Sequence, residues 1–340
     1  MATIDVFKGD AFSAINMTRA IDKMGHAPRM LFDMPGLFED VPVTTTDVFI
    51  ESRADGPALI QTSPRGAPPE SMGGDQREAR SFRTRRIIKK STIHSHEIQN
   101  VRAFGTESEL QNVMTEVARR QQRLTRDVYT TLEYHCLGAV QGLVKDKDAS
   151  TIYNWATEFG QAIPAEVAFD FAGADVGEIL IACNNMARGM LRALGDGQVN
   201  NDIRITALAG DQFFDQLTTS EEVRETFKGW QAAQDLRKGS AFGAFSYGNI
   251  DWINYRGTDD NTTVGIPTDK AKFFPVNAGI FQRAWAPAEP FDFVNTPGKE
   301  LYSWVVFDKD RNSWVDVEVA SYPLMVCTMP GALGQGRAGG

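Results

Sequence analysis

A stretch rich in glycine, proline and arginine, from about Ser52 to Arg80, separates two strand-like segments and precedes a helical pattern of unusual length. Loops longer than about 12–15 residues without structure of their own are uncommon inside a compact domain. Such a loop marks a functional arm, and an arm that reaches away from its own body suits a chain that touches copies of itself. Its flanks read as strands. Thr44–Ser52 offers three threonines followed by Val48, Phe49 and Ile50, which fit a pleated surface. Ala58–Thr62 extends it after a turn at Asp55-Gly56-Pro57. Pro64, Gly66, Pro68, Pro69 and Gly73-Gly74 then make a flexible tip, and Ser81–Lys90 returns as a strand.

Glu107–Leu143 is the clearest helix. Leu110, Val113, Met114, Val117, Leu124, Val128, Leu132, Cys136, Ala139 and Leu143 recur at three- and four-residue steps, one stripe of an α-helix. Thr106 is placed to cap it. At 1.5 Å per residue the rod is on the order of 55 Å long. The second half alternates helices and strands. A helix over Val176–Leu194 closes at Gly195, a buried strand covers Ile203–Ala209, and Asp211 caps the next helix. Another helix starts at Ser220 with Glu221 and Glu222, Phe242–Tyr255 is strand-rich and Asp259–Asp269 is loop. Leu301–Phe307 and Ser313–Ala320 form a hairpin whose second strand sets Val315, Val317 and Val319 on one face.

The N-terminal segment carries Ile4, Phe7, Phe12, Ile15 and Ile21, then Leu31, Phe32, Leu37 and Phe38 among Pro28, Pro35 and Pro42. Proline at that frequency favours extended chain. Its apolar groups need cover, on the body or on a neighbour. Met1–Asp10 has no apolar run, and no stretch reaches the roughly 20 apolar residues of a membrane helix, so a soluble, intracellular chain is expected. The net charge of −9 argues against a surface that binds nucleic acid all over. Cys136, Cys183 and Cys327 are far apart and read as buried, free thiols. The Gly-rich end, Gly331–Gly340, reads as a disordered tail.

Candidate chemistry is sparse. His94-Ser95-His96 would share a strand face, but a metal needs more ligands and none lies near in sequence. Asp308, Asp310 and Asn312 resemble the start of a calcium loop, yet Ser313 stands where glycine is needed, so a hairpin turn is the better reading. Gly195-Asp196-Gly197 follows a helix, unlike a dinucleotide fingerprint. Cys136 beside His135 reads as core. No catalytic, cofactor-binding or metal set assembles. The charge anomaly is the basic cluster Arg77, Arg80, Arg83, Arg85, Arg86, Lys89 and Lys90. Nucleic-acid binding is one reading. On an acidic chain a cationic arm that pairs with an acidic neighbouring subunit is preferred.

Three stretches carry a resemblance: Pro28–Glu51 (PRMLFDMPGLFEDVPVTTTDVFIE), the basic strand with the long helix over Phe82–Val144, and Ser321–Pro330 (SYPLMVCTMP). Together they resemble the major capsid (head shell) protein of lambda-like tailed bacteriophages. The resemblance implies an α+β fold with an N-terminal arm (1–43), an extended β loop (44–90) and a peripheral domain (91–174) holding the long spine helix. It further implies a mostly axial domain (175–300) and a return to the peripheral domain (301–330). It implies self-assembly into pentamers and hexamers of an icosahedral head around double-stranded DNA, made in the host cytoplasm, with scaffold, portal and decoration proteins as possible partners. The DNA would be met without sequence specificity and held off by net acidity. On this reading the basic cluster makes intersubunit loop contacts, and Leu31, Phe32, Leu37 and Phe38 make arm contacts. The arm and loop would be mobile in a free subunit. The alternatives are a tail-tube or other virion ring protein, which would lack so long a helix, and an enzyme with Ser63–Arg80 as a lid.

Overall fold

The computed structural model describes residues 29–53, 77–99, 109–173, 175, 177–195, 202–228, 244–258, 264–311 and 313–339. The expectations for Ile4–Ile21, the tip 54–76, the Thr106 cap and Asp196-Gly197 fall outside these residues.

The long helix organises one half of the molecule. It spans Glu109–Val140, 32 residues, on the order of 48 Å of rod. It stops short of the expected Leu143. Gly142, at φ 73°, reverses the chain, and Leu143–Lys145 becomes a strand paired with Thr151–Asn154. A left-handed residue just past the last turn is the usual glycine exit. The expected stripe is buried at Val117, Leu124, Val128, Leu132, Cys136 and Ala139, whereas Met114 is 44% exposed and does not belong to it.

A three-stranded antiparallel sheet packs on this helix, with Trp314–Ser321 between Tyr302–Phe307 and Ile87–His94. Val315, Val317 and Val319 face the core, as period-two alternation requires. The hairpin turn forms as expected, with the Asp308 carboxylate accepting from the backbone N–H groups of Asp310, Arg311 and Ser313. A second sheet joins Glu39–Pro42, Phe281–Trp285 and Pro323–Cys327. Both sheets and the long helix share one hydrophobic core.

A second core fills the other half. Six strands lie in the order Val167–Asp170, Gly334–Gly339, Lys270–Val276, Arg204–Ala209, Ile250–Asn254 and Ala244–Tyr247. Helices Glu178–Leu194, Asp211–Thr219 and Glu221–Lys228 contribute apolar residues to it. Asp211 opens its helix as the first helical residue rather than as the cap; Gly210 is the cap residue and makes no side-chain cap bond. The Glu222 carboxylate instead serves the neighbouring helix, accepting from the N–H groups of Ile179 and Leu180. All three cysteines are free and buried.

Two further expectations fail. The Gly-rich tail is not disordered over Gly334–Gly339: it is an interior strand of the six-stranded sheet, parallel to Val167–Asp170 and antiparallel to Lys270–Val276. A Cβ on Gly336 would sit 2.9 Å from Phe169 and 3.1 Å from Phe273, so only glycine lets these rings close over the strand. The returning basic strand is also not one strand. Arg77–Arg83 pairs with Asp47–Arg53 in a ribbon that is two-stranded among the described residues, whereas Ile87–His94 belongs to the hairpin sheet. Between them Thr84 N–H donates to Thr46 O at 3.1 Å and Arg85 N–H to Pro323 O at 3.0 Å, so the chain crosses from one sheet to the other there.

Candidate assembly interface

The ribbon has two unlike faces. Val48, Ile50 and Phe82 lie on one and are buried. Phe82 meets Tyr153, Trp155 and Phe159 at ring-centroid distances of 5.7, 5.3 and 5.7 Å. Tyr153 adds a reciprocal pair, its Oη accepting from Arg83 N–H at 3.0 Å and donating to Arg83 O at 2.9 Å. The root of the ribbon is therefore anchored on the body. On the opposite face Phe49 is 70% exposed, paired across the ribbon with Ser81. In sequence Phe49 is one of three consecutive strand apolars, Val48, Phe49 and Ile50. The signal was available, because of three consecutive apolar residues on a strand the middle one must face away from the other two.

The basic residues divide into three groups. Arg77, Arg80 and Arg83 lie on the ribbon, opposite Arg53, Ile50 and Asp47. Arg85 and Arg86 occupy the crossing, with Arg85 5.5 Å from the Tyr153 ring centroid and Arg86 3.3 Å from Glu289. Lys89 and Lys90 sit in the hairpin sheet and pair within their own chain, Lys89 with Asp127 at 2.6 Å and Lys90 with buried Asp316 at 2.7 Å. Asp316 also accepts from Thr92 at 2.5 Å, and it raises the Lys90 pKa through their hydrogen bond. A continuous cationic strand reserved for a neighbour is thus not what forms, because strand register brings carboxylates from distant sequence beside the lysines.

The expected arm contacts are likewise met at home over residues 29–42. Leu31, Phe32 and Leu37 are buried in the molecule's own core, and Phe38 packs on it. Glu133 of the long helix accepts from Leu31 N–H at 2.8 Å, Phe32 N–H at 2.9 Å and Tyr255 Oη at 3.1 Å. Burial raises the Glu133 pKa, and these hydrogen bonds oppose the shift. Arg283 grips Asp40 through Nε and Nη2, both at 2.9 Å, and donates to Phe32 O at 2.6 Å. Its guanidinium lies 4.3 Å from the Phe32 ring centroid. Burial, the Glu133 acceptor and the Arg283–Asp40 ion pair hold residues 29–42 against the body of their own chain.

His94 ends its strand and His96 lies in the short helix Ser95–Gln99, so they do not share a strand; their rings stack at 5.5 Å. Among the described residues no group of three or more His, Cys, Asp or Glu is placed to hold a metal ion. No described helix is long and apolar enough to cross a membrane. A groove of about 630 Å³ runs along the helix Glu178–Leu194, lined by Val167, Ile181, Met186, Met190 and Leu333. Its lining is apolar apart from Glu178 and Asn185, so it offers a docking surface rather than acid–base chemistry. Phe291 is 96% exposed and Val294 52% exposed on a turn fixed by buried Phe293, whose ring lies 4.9 Å from that of Tyr302. No periodicity marks these two; they stand in a loop between Pro290 and Pro297.

The chain is 24% identical over 334 residues to the major capsid protein of Salmonella phage Felix O1, covering 89% of this chain and 90% of that one. It is 25% identical over 323 residues to the major capsid protein of Pseudomonas phage KPP10, with the same coverage of 89% and 90%. Among solved structures, a Cyanophage Pam1 capsid chain superposes with a TM-score of 0.54 at 14% identity, covering 93% of this chain and 94% of that one. That likeness shows a tailed-phage capsid fold, α+β as expected. The phage capsid part of the expected resemblance is met; its lambda-like qualifier is not carried by these relatives. The model of phage major capsid protein E matches residues 13–338, nearly the whole chain, and the protein belongs to that family.

Proposed function

We propose that copies of this chain associate as pentamers and hexamers and close into the icosahedral head of a phage virion, enclosing double-stranded DNA. The role is structural, without catalysis. Family membership supports it, and so does the ribbon, which carries the reading. A two-stranded element that pairs with no third strand among the described residues and presents an outward Phe49 gains by lying on another molecule. Burying one such aromatic contributes about 1.5–3 kcal/mol, and many such contacts repeat over a closed shell.

In this reading the ribbon and its tip are the extended loop, and Arg77, Arg80, Arg83, Arg85 and Arg86 meet carboxylates of the adjacent copy. The long helix and hairpin sheet form the peripheral domain. The six-stranded sheet forms most of the axial domain, completed by the C-terminal strand. Phe291 and Val294 are a second intersubunit contact. Scaffold, portal and decoration proteins are partners of the assembled shell.

The test is a Phe49→Ser/Phe291→Ser variant. Both side chains are exposed in the subunit, so circular dichroism and melting temperature should match the parent while shell yield by electron microscopy falls at least tenfold. Shells at parental yield would refute the assignment of these contacts.

A further inference from the structure

We infer that the solvent-facing side of the long helix, through Arg119, Arg123 and Arg126, binds the phosphate backbone of the enclosed duplex. This rests on the capsid reading only in that the shell brings DNA within reach. From residue 114 to 134 of the helix, the exposed positions are Met114, Thr115, Arg119, Gln122, Arg123 and Arg126. None is a carboxylate. The neighbouring acids are less exposed and engaged, Glu116 with Arg119 and Arg120, and Asp127 with Lys89. Arg123 and Arg126 pair with no carboxylate among the described residues.

Spacings of four and three residues put the three guanidinium groups on one face, about 6 and 4.5 Å apart along the axis. Like charges so spaced destabilise a helix by a few tenths of a kcal/mol per pair. On a chain of net charge −9 they add nothing to solubility, so an anion that covers them accounts for the stripe. Arginine suits phosphate because its planar fork donates two parallel hydrogen bonds. A protein partner fits less well. Interfaces between proteins are built around an apolar centre, and between Thr115 and Arg126 this face offers only polar donors. Net acidity elsewhere then confines DNA contact to the stripe rather than excluding it.

The measurement is fluorescence anisotropy of the full-length, unassembled chain with two unrelated 30-base-pair duplexes from 20 to 200 mM salt. Three phosphate contacts give a slope of log K against log salt of about −2.7, equal for both sequences. Arg123→Gln/Arg126→Gln should flatten the slope by about 2 and weaken both duplexes at least tenfold at 50 mM salt. Lys309→Gln, in the hairpin turn, should change neither. Absence of parental binding, or an unchanged slope in the double variant, overturns the inference. So does a double variant that melts like the parent yet fails to form shells without DNA, which would assign the stripe to a protein neighbour. If the parent forms no shells but the slope still depends on the two arginines, the capsid reading fails while the phosphate contact of these arginines stands.

Discussion

Glu133→Gln is nearly isosteric and tests how residues 29–42 are held. The carboxylate takes Leu31 N–H and Tyr255 Oη on one oxygen and Phe32 N–H on the other. Glutamine supplies one acceptor oxygen, and its amide then turns a donor toward a backbone donor. One buried N–H is left unpaired, at about 1–3 kcal/mol. Relief of burying a charge offsets part of this, so a net loss of about 1–2 kcal/mol is expected. Glu133→Ala strands all three donors beside a cavity and should cost about 3–5 kcal/mol. The sign with pH separates this clamp from an ordinary ion pair. The folded-state pKa of Glu133 is raised by burial, so the native state binds the proton more tightly than the unfolded chain does. The stability this contributes is complete below the unfolded value near 4.5 and is lost as pH rises through the folded value. The parent's advantage over Glu133→Gln should therefore be larger at pH 4.5 than at pH 8. Urea unfolding at the two pH values, with hydrogen exchange at the Leu31 and Phe32 amides, reads both effects. Equal stability of parent and variant at both pH values, with unchanged exchange at those amides, would refute the clamp.

Phe82→Ala removes the ring that seats the ribbon and should cost about 3–5 kcal/mol; limited proteolysis within 47–53 and 77–83 should accelerate, and wild-type cleavage rates would count against the anchor. His135 is buried, and burial depresses its pKa to about 4. Stability present above about pH 6.5 should fall by on the order of 3 kcal/mol as pH drops through 4, and a His135→Gln variant should show a flatter pH profile. An identical profile would exclude that histidine as the source. Truncation after Leu333 deletes the strand between Val167–Asp170 and Lys270–Val276 and bares Phe169 and Phe273. The product should fail to unfold cooperatively, and a parental melting curve would show that the strand is dispensable.

Local pattern carried much of this structure. The hairpin Tyr302–Phe307/Trp314–Ser321 and the long helix follow from alternation and from a single apolar stripe, both set by near neighbours. Leu143 misled because it continues the stripe's spacing while Gly142 has already turned the chain. The tail misled for a physical reason of another kind. Glycine-rich sequence reads as entropy, whereas Gly334 and Gly336 are small because Met186, Phe169 and Phe273 press on them. The segment 29–42 read as a loose arm because Glu133 and Arg283, which fix it, lie far along the chain. Lys89 and Lys90 were invisible as internal ion pairs until sheet register placed Asp316 beside them. At the candidate interface, charge runs were legible, but the distant carboxylates that pair with Arg86, Lys89 and Lys90 were not.

On the capsid reading this chain completes its contacts only among copies of itself. Cryo-electron microscopy of the purified full-length protein tests it directly. Closed shells with five- and six-fold clusters are expected, in which the ribbon lies across a neighbouring copy and Phe49 is covered. Tubes, or monodisperse monomers at high concentration with Phe49 still bare, would contradict it.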